Sequence, residues 1–138
     1  MAEYILRERL KAYPHLSSFE VISAGISADH NHPASPFAIE TLAAIGIDLQ
    51  PHHSRPLSSS LLKEAIAIFC ATHQHKHFIL QNYPETTDHC FLIKEFLPPM
   101  DDLLDPYMGS REVYDITRAE IESAIPSIIS YIQKHHEN

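Results

Sequence analysis

Asp105 is the carboxylate in this chain whose neighbours best suit it to acid chemistry. It lies in Asp101-Asp102-Leu103-Leu104-Asp105-Pro106-Tyr107-Met108-Gly109-Ser110. A following proline biases Asp105 towards an extended backbone, Pro106 stiffens the loop, and Gly109 permits a tight turn. Such a loop can aim one carboxyl in a fixed direction, as a general acid requires. On these residues alone, a solvated acidic turn is the simpler reading. His52-His53-Ser54-Arg55 gathers imidazoles and a guanidinium within four residues. Arg55 could hold a phosphate or pair with a carboxylate. Ser23, in Val21-Ile22-Ser23-Ala24-Gly25, brings a hydroxyl to the end of an apolar run, either to support a site or to satisfy local backbone groups.

The other chemistry-bearing types are less organised. Among eleven histidines, His73-Gln74-His75-Lys76-His77 is the densest group. On a helix His73 and His77 would share a face, but nothing supplies a third and fourth metal ligand at recognisable spacing, so no metal site and no cofactor are expected. The two cysteines, Cys70 and Cys90, both fall inside apolar segments and read as core thiols. Neither belongs to a phosphate-cradling loop, which needs inward-turned amides, usually glycine, and a cation. The chain has three glycines, Gly25, Gly46 and Gly109, and six positions after Cys70 stands Lys76 rather than arginine. Gly-rich nucleotide loops, serine-hydrolase patterns and paired catalytic carboxylates are absent in recognisable form.

These residues must be positioned by a chain of 138 residues, the usual span of one domain, here 1–138. Apolar residues at 44% and charged ones at 20% suit a globular core. A formal net charge of −8, with its ten basic residues scattered, argues against nucleic acid as a partner. No apolar run reaches membrane-spanning length, and Met1-Ala2-Glu3-Tyr4 lacks signal-peptide features, which makes a cytoplasmic protein the default expectation.

Helix formers fill Ala2 to Tyr13 until Pro14. Phe19 to Ala24 reads as a strand ended by Gly25, and residues 26–34 as turn-like. Ser35-Pro36 marks an N-cap with proline at the first helical position, and Gly46 lies just past the end of that helix. A short helix over Ser58–Glu64 leads to a strand over Ala65–Ala71, and Thr72 can cap a helix running to Asn82. Cys90–Ile93 is a third strand. Arg111–Lys134 is a terminal helix bent or interrupted near Pro126, unless the capping-box spacing of Thr117 and Glu120 starts it later. Helices alternating with short apolar strands indicate an α/β domain with a mainly parallel sheet. Three strands are few for a sheet covered on both faces, and the chain opens on a helix with no strand before it.

In order, these segments resemble the low-molecular-weight protein tyrosine phosphatase family over nearly the whole chain. The matching landmarks are Ser23-Ala24-Gly25, the helix running into Gly46-Ile47-Asp48-Leu49, His52-x-Ser54-Arg55-Pro56-Leu57, Ala65 to His75, Phe91 to Phe96, and Asp105-Pro106-Tyr107-x-Gly109-Ser110 followed by Tyr114. The resemblance implies a three-layer α/β sandwich with a short parallel sheet. It implies phosphoryl transfer through a cysteine thiolate, with an aspartate protonating the leaving oxygen and then activating water. By position that acid is Asp105, Tyr107 walls the substrate ring, and Ser23 and His52 support the phosphate-binding loop. The family's Cys-x5-Arg-Ser-Pro signature, which precedes a helix often beginning Met-Ala-Glu, is not in this sequence, which begins Met1-Ala2-Glu3.

The expectation is therefore a chain that starts just after the nucleophile loop, lacks the first, central strand, and cannot turn over a phosphomonoester. Two apolar strand edges would then be open to dimerisation or strand exchange. The substrate class implied is protein phosphotyrosine, with phosphoarginine as the alternative within the same family. Arsenate reductase, a further relative, needs a cysteine relay that Cys70 and Cys90 do not suggest. Outside catalysis, the readings are a pseudophosphatase that binds a partner and a His-rich metal-binding domain.

Overall fold

The structure, a computed structural model, describes residues 1–26 and 32–136, with the His136 side chain left aside. Most of the turn-like stretch at 26–34 falls outside the described residues.

Helix α1 spans Ala2–Leu10, with Glu3 in its first turn and Arg7 and Arg9 in its last, each sign favourable to the helix dipole. It buries Ile5 and Leu10, and a 3₁₀ turn at Pro14–Leu16 seats Leu16 in the core. Helix α2 spans Pro36–Ala43. Its cap is the one the sequence predicts: Ser35 Oγ accepts from the Ala38 amide at 3.3 Å. Past its end Gly46 takes φ +80°, a left-handed conformation that glycine adopts without strain. Helix α3 (Ser59–Glu64) is capped by Ser58, and α4 (His73–Asn82) by Thr72, whose Oγ1 accepts from the His75 amide at 3.1 Å.

Helix α5 runs unbroken from Arg111 to His136. Tyr114, Thr117, Ile121, Ala124, Ile125, Ile128, Ile129 and Ile132 recur at helical spacing and are buried. This stripe packs against α1 and α2. Pro126 does not interrupt it, contrary to expectation. The buried residues on both sides of the proline hold the helix together against a cost of about 3 kcal/mol for the missing amide and ring clash. Nor does the helix begin at Thr117, whose hydroxyl is engaged elsewhere.

Among the described residues the sheet has two strands, β1 (Ile68–Cys70) and β2 (Cys90–Leu92), parallel, with Ile68 opposite Cys90 and Cys70 opposite Leu92. Alternation gives it two faces. Phe69 and Ala71 pack on the cluster built from α1, α2 and α5. Ile68, Cys70 and Cys90 join Ile79 and Leu80 of α4 in a second cluster. Helices therefore cover both faces of a short parallel sheet. The expected strand over Phe19–Ala24 does not form. Among the described residues it has no ladder partner, only a parallel bridge between Gly25 and Pro56, and Ile22, Ser23 and Ala24 are exposed. An apolar, β-branched run cannot become a strand without a neighbour to pair with.

Candidate active site

The loop that carries Asp105 leaves the end of β2 and is tied down residue by residue. Asp102 Oδ1 accepts from the backbone amide and Nδ1 of His73, each at 2.7 Å, so it caps the start of α4. Those two contacts hold its carboxyl below the usual aspartate range. The Leu103 amide donates to Ala71 O at 2.9 Å, continuing the line of β1, while the Leu103 side chain is buried. Leu104 is gripped at both backbone groups by α5. Its amide donates to Glu120 Oε1 at 3.0 Å, and its carbonyl accepts from Thr117 Oγ1 at 2.9 Å. Glu120 is itself fixed by Lys94 Nζ at 3.1 Å.

From these anchors Asp105 emerges exposed, its Oδ1 accepting from the Tyr107 amide at 3.0 Å. A turn follows immediately, with the Gly109 amide donating to Pro106 O at 2.7 Å. Met108 adopts φ +66°, a conformation that costs a non-glycine residue about 1–3 kcal/mol and is kept only where the surroundings impose it. At Gly109 a Cβ would lie 2.9 Å from Pro106 O and 3.2 Å from Val113 Cβ, so glycine is required by close approach. The turn lifts Tyr107 and Met108 into solvent, 77% and 86% exposed, with Leu104 also exposed. One carboxylate oxygen, without a hydrogen-bond partner among the described residues, thus stands two residues before an exposed aromatic side chain.

The second group of predicted residues meets at the start of α1. Ser23 Oγ donates to Glu3 Oε1 at 2.6 Å, and His52 Nδ1 lies 3.8 Å from the same oxygen. Arg7 ion-pairs with Glu3, donates to Val21 O at 2.7 Å, and stacks its guanidinium 4.8 Å from the Tyr4 ring centre. Tyr4 meets His52 edge to face at 5.5 Å. Backbone pairing brings the two loops together: the Gly25 amide donates to Arg55 O at 3.0 Å and the Leu57 amide to Gly25 O at 2.9 Å. Glu3, Tyr4, Arg7 and residues 51–55 enclose an open hollow of about 570 Å³. Burial pushes the His52 imidazole below its ordinary value, Glu3 resists, and the positive groups nearby add to the lowering.

The structure thus brings Asp105 and Tyr107 together, and separately Ser23 and His52. Among the described residues no hydrogen bond or ion pair joins the two groups. The sequence reading missed Glu3, on which Ser23 and His52 converge, and the anchors Asp102, Thr117 and Glu120. Thr117 and Glu120 were legible as a pair three apart, but a capping box and a clamp on Leu104 share that spacing. The histidines of α4 gather no ligand set: among the described residues no group of three or more His, Cys, Asp or Glu is placed to hold a metal. No helix among them is long and apolar enough to cross a membrane.

A family model described as low molecular weight phosphotyrosine protein phosphatase matches residues 1–138. A protein-arginine-phosphatase of Bacillus subtilis is 36% identical over 115 residues, 83% of this chain and 76% of that protein. A probable low molecular weight protein-tyrosine-phosphatase of Ralstonia solanacearum, EpsP, is 32% identical over 133 residues, 96% of this chain and 86% of the relative. In three dimensions the arginine phosphatase YwlE of Geobacillus stearothermophilus superposes with a TM-score of 0.85 at 32% identity, covering 97% of this chain and 84% of its own. The low molecular weight protein tyrosine phosphatase of T. tengcongensis gives 0.85 at 36% identity, covering 94% and 88%.

Proposed function

The chain belongs to the low molecular weight phosphotyrosine protein phosphatase family, and on that premise we propose that it carries the acid half of a protein phosphatase site. In this reading Asp105 protonates the leaving oxygen as phosphorus passes to a cysteine thiolate, then takes the proton from the water that releases phosphate. Tyr107 packs against the substrate's ring, and Ser23 and His52 steady the phosphate-binding loop. The observation that carries the reading is the clamped loop: Asp102, Leu103 and Leu104 are each fixed, and the exposed carboxyl of Asp105 follows directly.

The nucleophile is not among these 138 residues. Cys70 and Cys90 are buried, and neither is followed six positions on by arginine. The chain alone is therefore expected to leave an aryl phosphate unhydrolysed. The exposed run at Ile22–Ala24 and the outer edge of β1 favour pairing with a second copy. The substrate class proposed is protein phosphotyrosine, on the strength of the exposed Tyr107 ring beside the acid. Phosphoarginine is the second reading, favoured by the protein-arginine-phosphatases among the relatives. The working compartment proposed is the cytoplasm.

The test joins a relative's first strand and nucleophile loop in front of Met1 and assays both chains on phosphotyrosine and phosphoarginine peptides. Turnover by the joined chain alone is expected, faster on phosphotyrosine. Turnover by the 138 residues unaided, lost in Asp105→Asn, would overturn the missing-nucleophile reading. Preference for phosphoarginine would replace the substrate class.

A further inference from the structure

The cysteines, which the sequence presents as two separate core thiols, are neighbours in space. Parallel register places Cys70 opposite Leu92 and Cys90 opposite Ile68, so the two lie diagonally across one face of the sheet. Their sulfurs are 3.9 Å apart. They share a small apolar cluster with Ile79, Leu80 and Tyr83, separate from the main core.

Two further observations make this more than core packing. The first is charge. Lys76 stands over the pair, with Nζ 2.9 Å from Glu95 Oε1. The contact between the thiols draws Cys90 below its ordinary value and pushes Cys70 up, while burial and Glu95 oppose the thiolate at both and Lys76 favours it. The second is access. An open hollow of about 550 Å³, lined by His73, Gln74, Lys76, His77 and Leu80, lies on the outer side of α4. Leu80 is common to this hollow and to the cysteine cluster. Cys70 and Cys90 are themselves 5% and 2% exposed, so a solute reaching them must be as small as hydrogen peroxide and must pass the Leu80 side chain.

We propose that Cys70 and Cys90 are a modification site, a dithiol that hydrogen peroxide converts reversibly to an intramolecular disulfide. The Cys90 thiolate attacks one peroxide oxygen, the O–O bond breaks, and the departing hydroxide takes a proton to become water. Cys90 is then a sulfenic acid. Cys70 attacks that sulfur, its proton leaves with the hydroxyl as a second water, and the S–S bond forms. Two thiols lose two electrons and peroxide gains them. Closure needs the sulfurs to approach by about 1.9 Å, from 3.9 Å to a bonded separation near 2.0 Å. Two strands of three residues, with no third strand pairing with either among the described residues, have few ladder bonds to rearrange as the sulfurs close. This site does not depend on the phosphatase reading.

The experiment treats the folded chain with hydrogen peroxide, blocks remaining thiols with an alkylating agent, and reads intact mass followed by a peptic map. The expected product is a monomer about 2 Da lighter with both cysteines protected, a Cys70–Cys90 linked peptide, and full reversal by dithiothreitol. In Cys70→Ser a sulfenic-acid trap should label Cys90, whereas in Cys90→Ser Cys70 should stay unlabelled. Two alkylatable thiols after treatment, or a linkage found only between copies, would overturn the proposal. The wild-type peptic map decides it even where a variant fails to fold.

Discussion

The two halves of the candidate site are built differently. Around Asp105 the Asp102 carboxylate, the Leu103 amide and both backbone groups of Leu104 are engaged by something behind them: the start of α4, the end of β1, and two side chains of α5. At the start of α1, Ser23, His52 and Arg7 instead converge on a single carboxylate, Glu3, beside an open hollow. The acid loop is held by the core of the molecule. The front group is held by a neighbour, and exposed polar contacts of that kind contribute little individually. Scaffold and partner are different sources of order, and substitution should separate them.

The largest separation is chemical. In the chain joined to a nucleophile loop, Asp105→Asn should lower kcat by about 10²–10⁴-fold, the range for loss of a positioned acid. Ser23→Ala should act mainly through the phosphate loop and lose far less. Steady-state rates on one aryl phosphate with a poor leaving group compare them. Equal losses would mean that Asp105 is an ordinary surface carboxylate and that the clamped loop serves only structure.

Stability should show the same asymmetry more modestly. Thr117→Val removes the hydroxyl that donates to the Leu104 carbonyl in a part-buried contact, and about 0.5–1.5 kcal/mol should be lost in urea unfolding. Ser23→Ala removes a contact between groups that water can reach, and about 0.5 kcal/mol or less is expected. A Ser23 effect as large as that of Thr117 would make the front group part of the scaffold.

What the sequence disclosed follows the same divide. Local signals were legible. The caps at Ser35 and Thr72 form as their side chains predict. The turn at Asp105-Pro106-Tyr107 was legible through proline and glycine, whose backbone restrictions are written in the residue types, while the same residues alone read more simply as an ordinary acidic turn. Features that depend on a distant partner were not legible. Phe19–Ala24 has a strand's composition but no ladder, because pairing is decided by what lies alongside. Pro126 reads as a break until its buried flanks are counted. Glu3 looked like any helix-start acid until Ser23 and His52 folded onto it, and the contact between Cys70 and Cys90 needed the strand register.

Acidification gives a smaller effect with a definite sign. Contacts from the His73 backbone and ring hold the Asp102 carboxyl below its ordinary 3.8. A carboxyl depressed in the folded state contributes stability that is fully present above that value and is lost as pH falls through the lower, folded one. The anchor at α4 should therefore persist at pH 4 and fail only below it. A side-chain carbon NMR titration of Asp102 should show a midpoint under 3.8. A midpoint at or above it would remove Asp102 from the clamp.

The most delicate effect belongs to His52. Its ordinary value is 6.5, and burial lowers it in the fold while Glu3 opposes. The folded chain therefore binds a proton there less readily than the unfolded chain does. The stability tied to neutral His52 is complete above pH 6.5 and declines as pH falls through the lower folded value. A ring-proton NMR titration should give a midpoint under 6.5, and Glu3→Gln, by removing the one nearby negative charge that opposes the shift, should lower it further. If Glu3→Gln leaves the midpoint unchanged, the 3.8 Å approach of His52 to Glu3 carries no electrostatic weight. Repeating the titration with a nucleophile loop joined ahead of Met1 sharpens the comparison. If the loop draws His52 away from Glu3, the midpoint moves and its sensitivity to Glu3→Gln disappears, as expected of a front group that awaits a partner. An unmoved midpoint would mean that Glu3 is the permanent partner of His52 and that the hollow is no cradle for that loop.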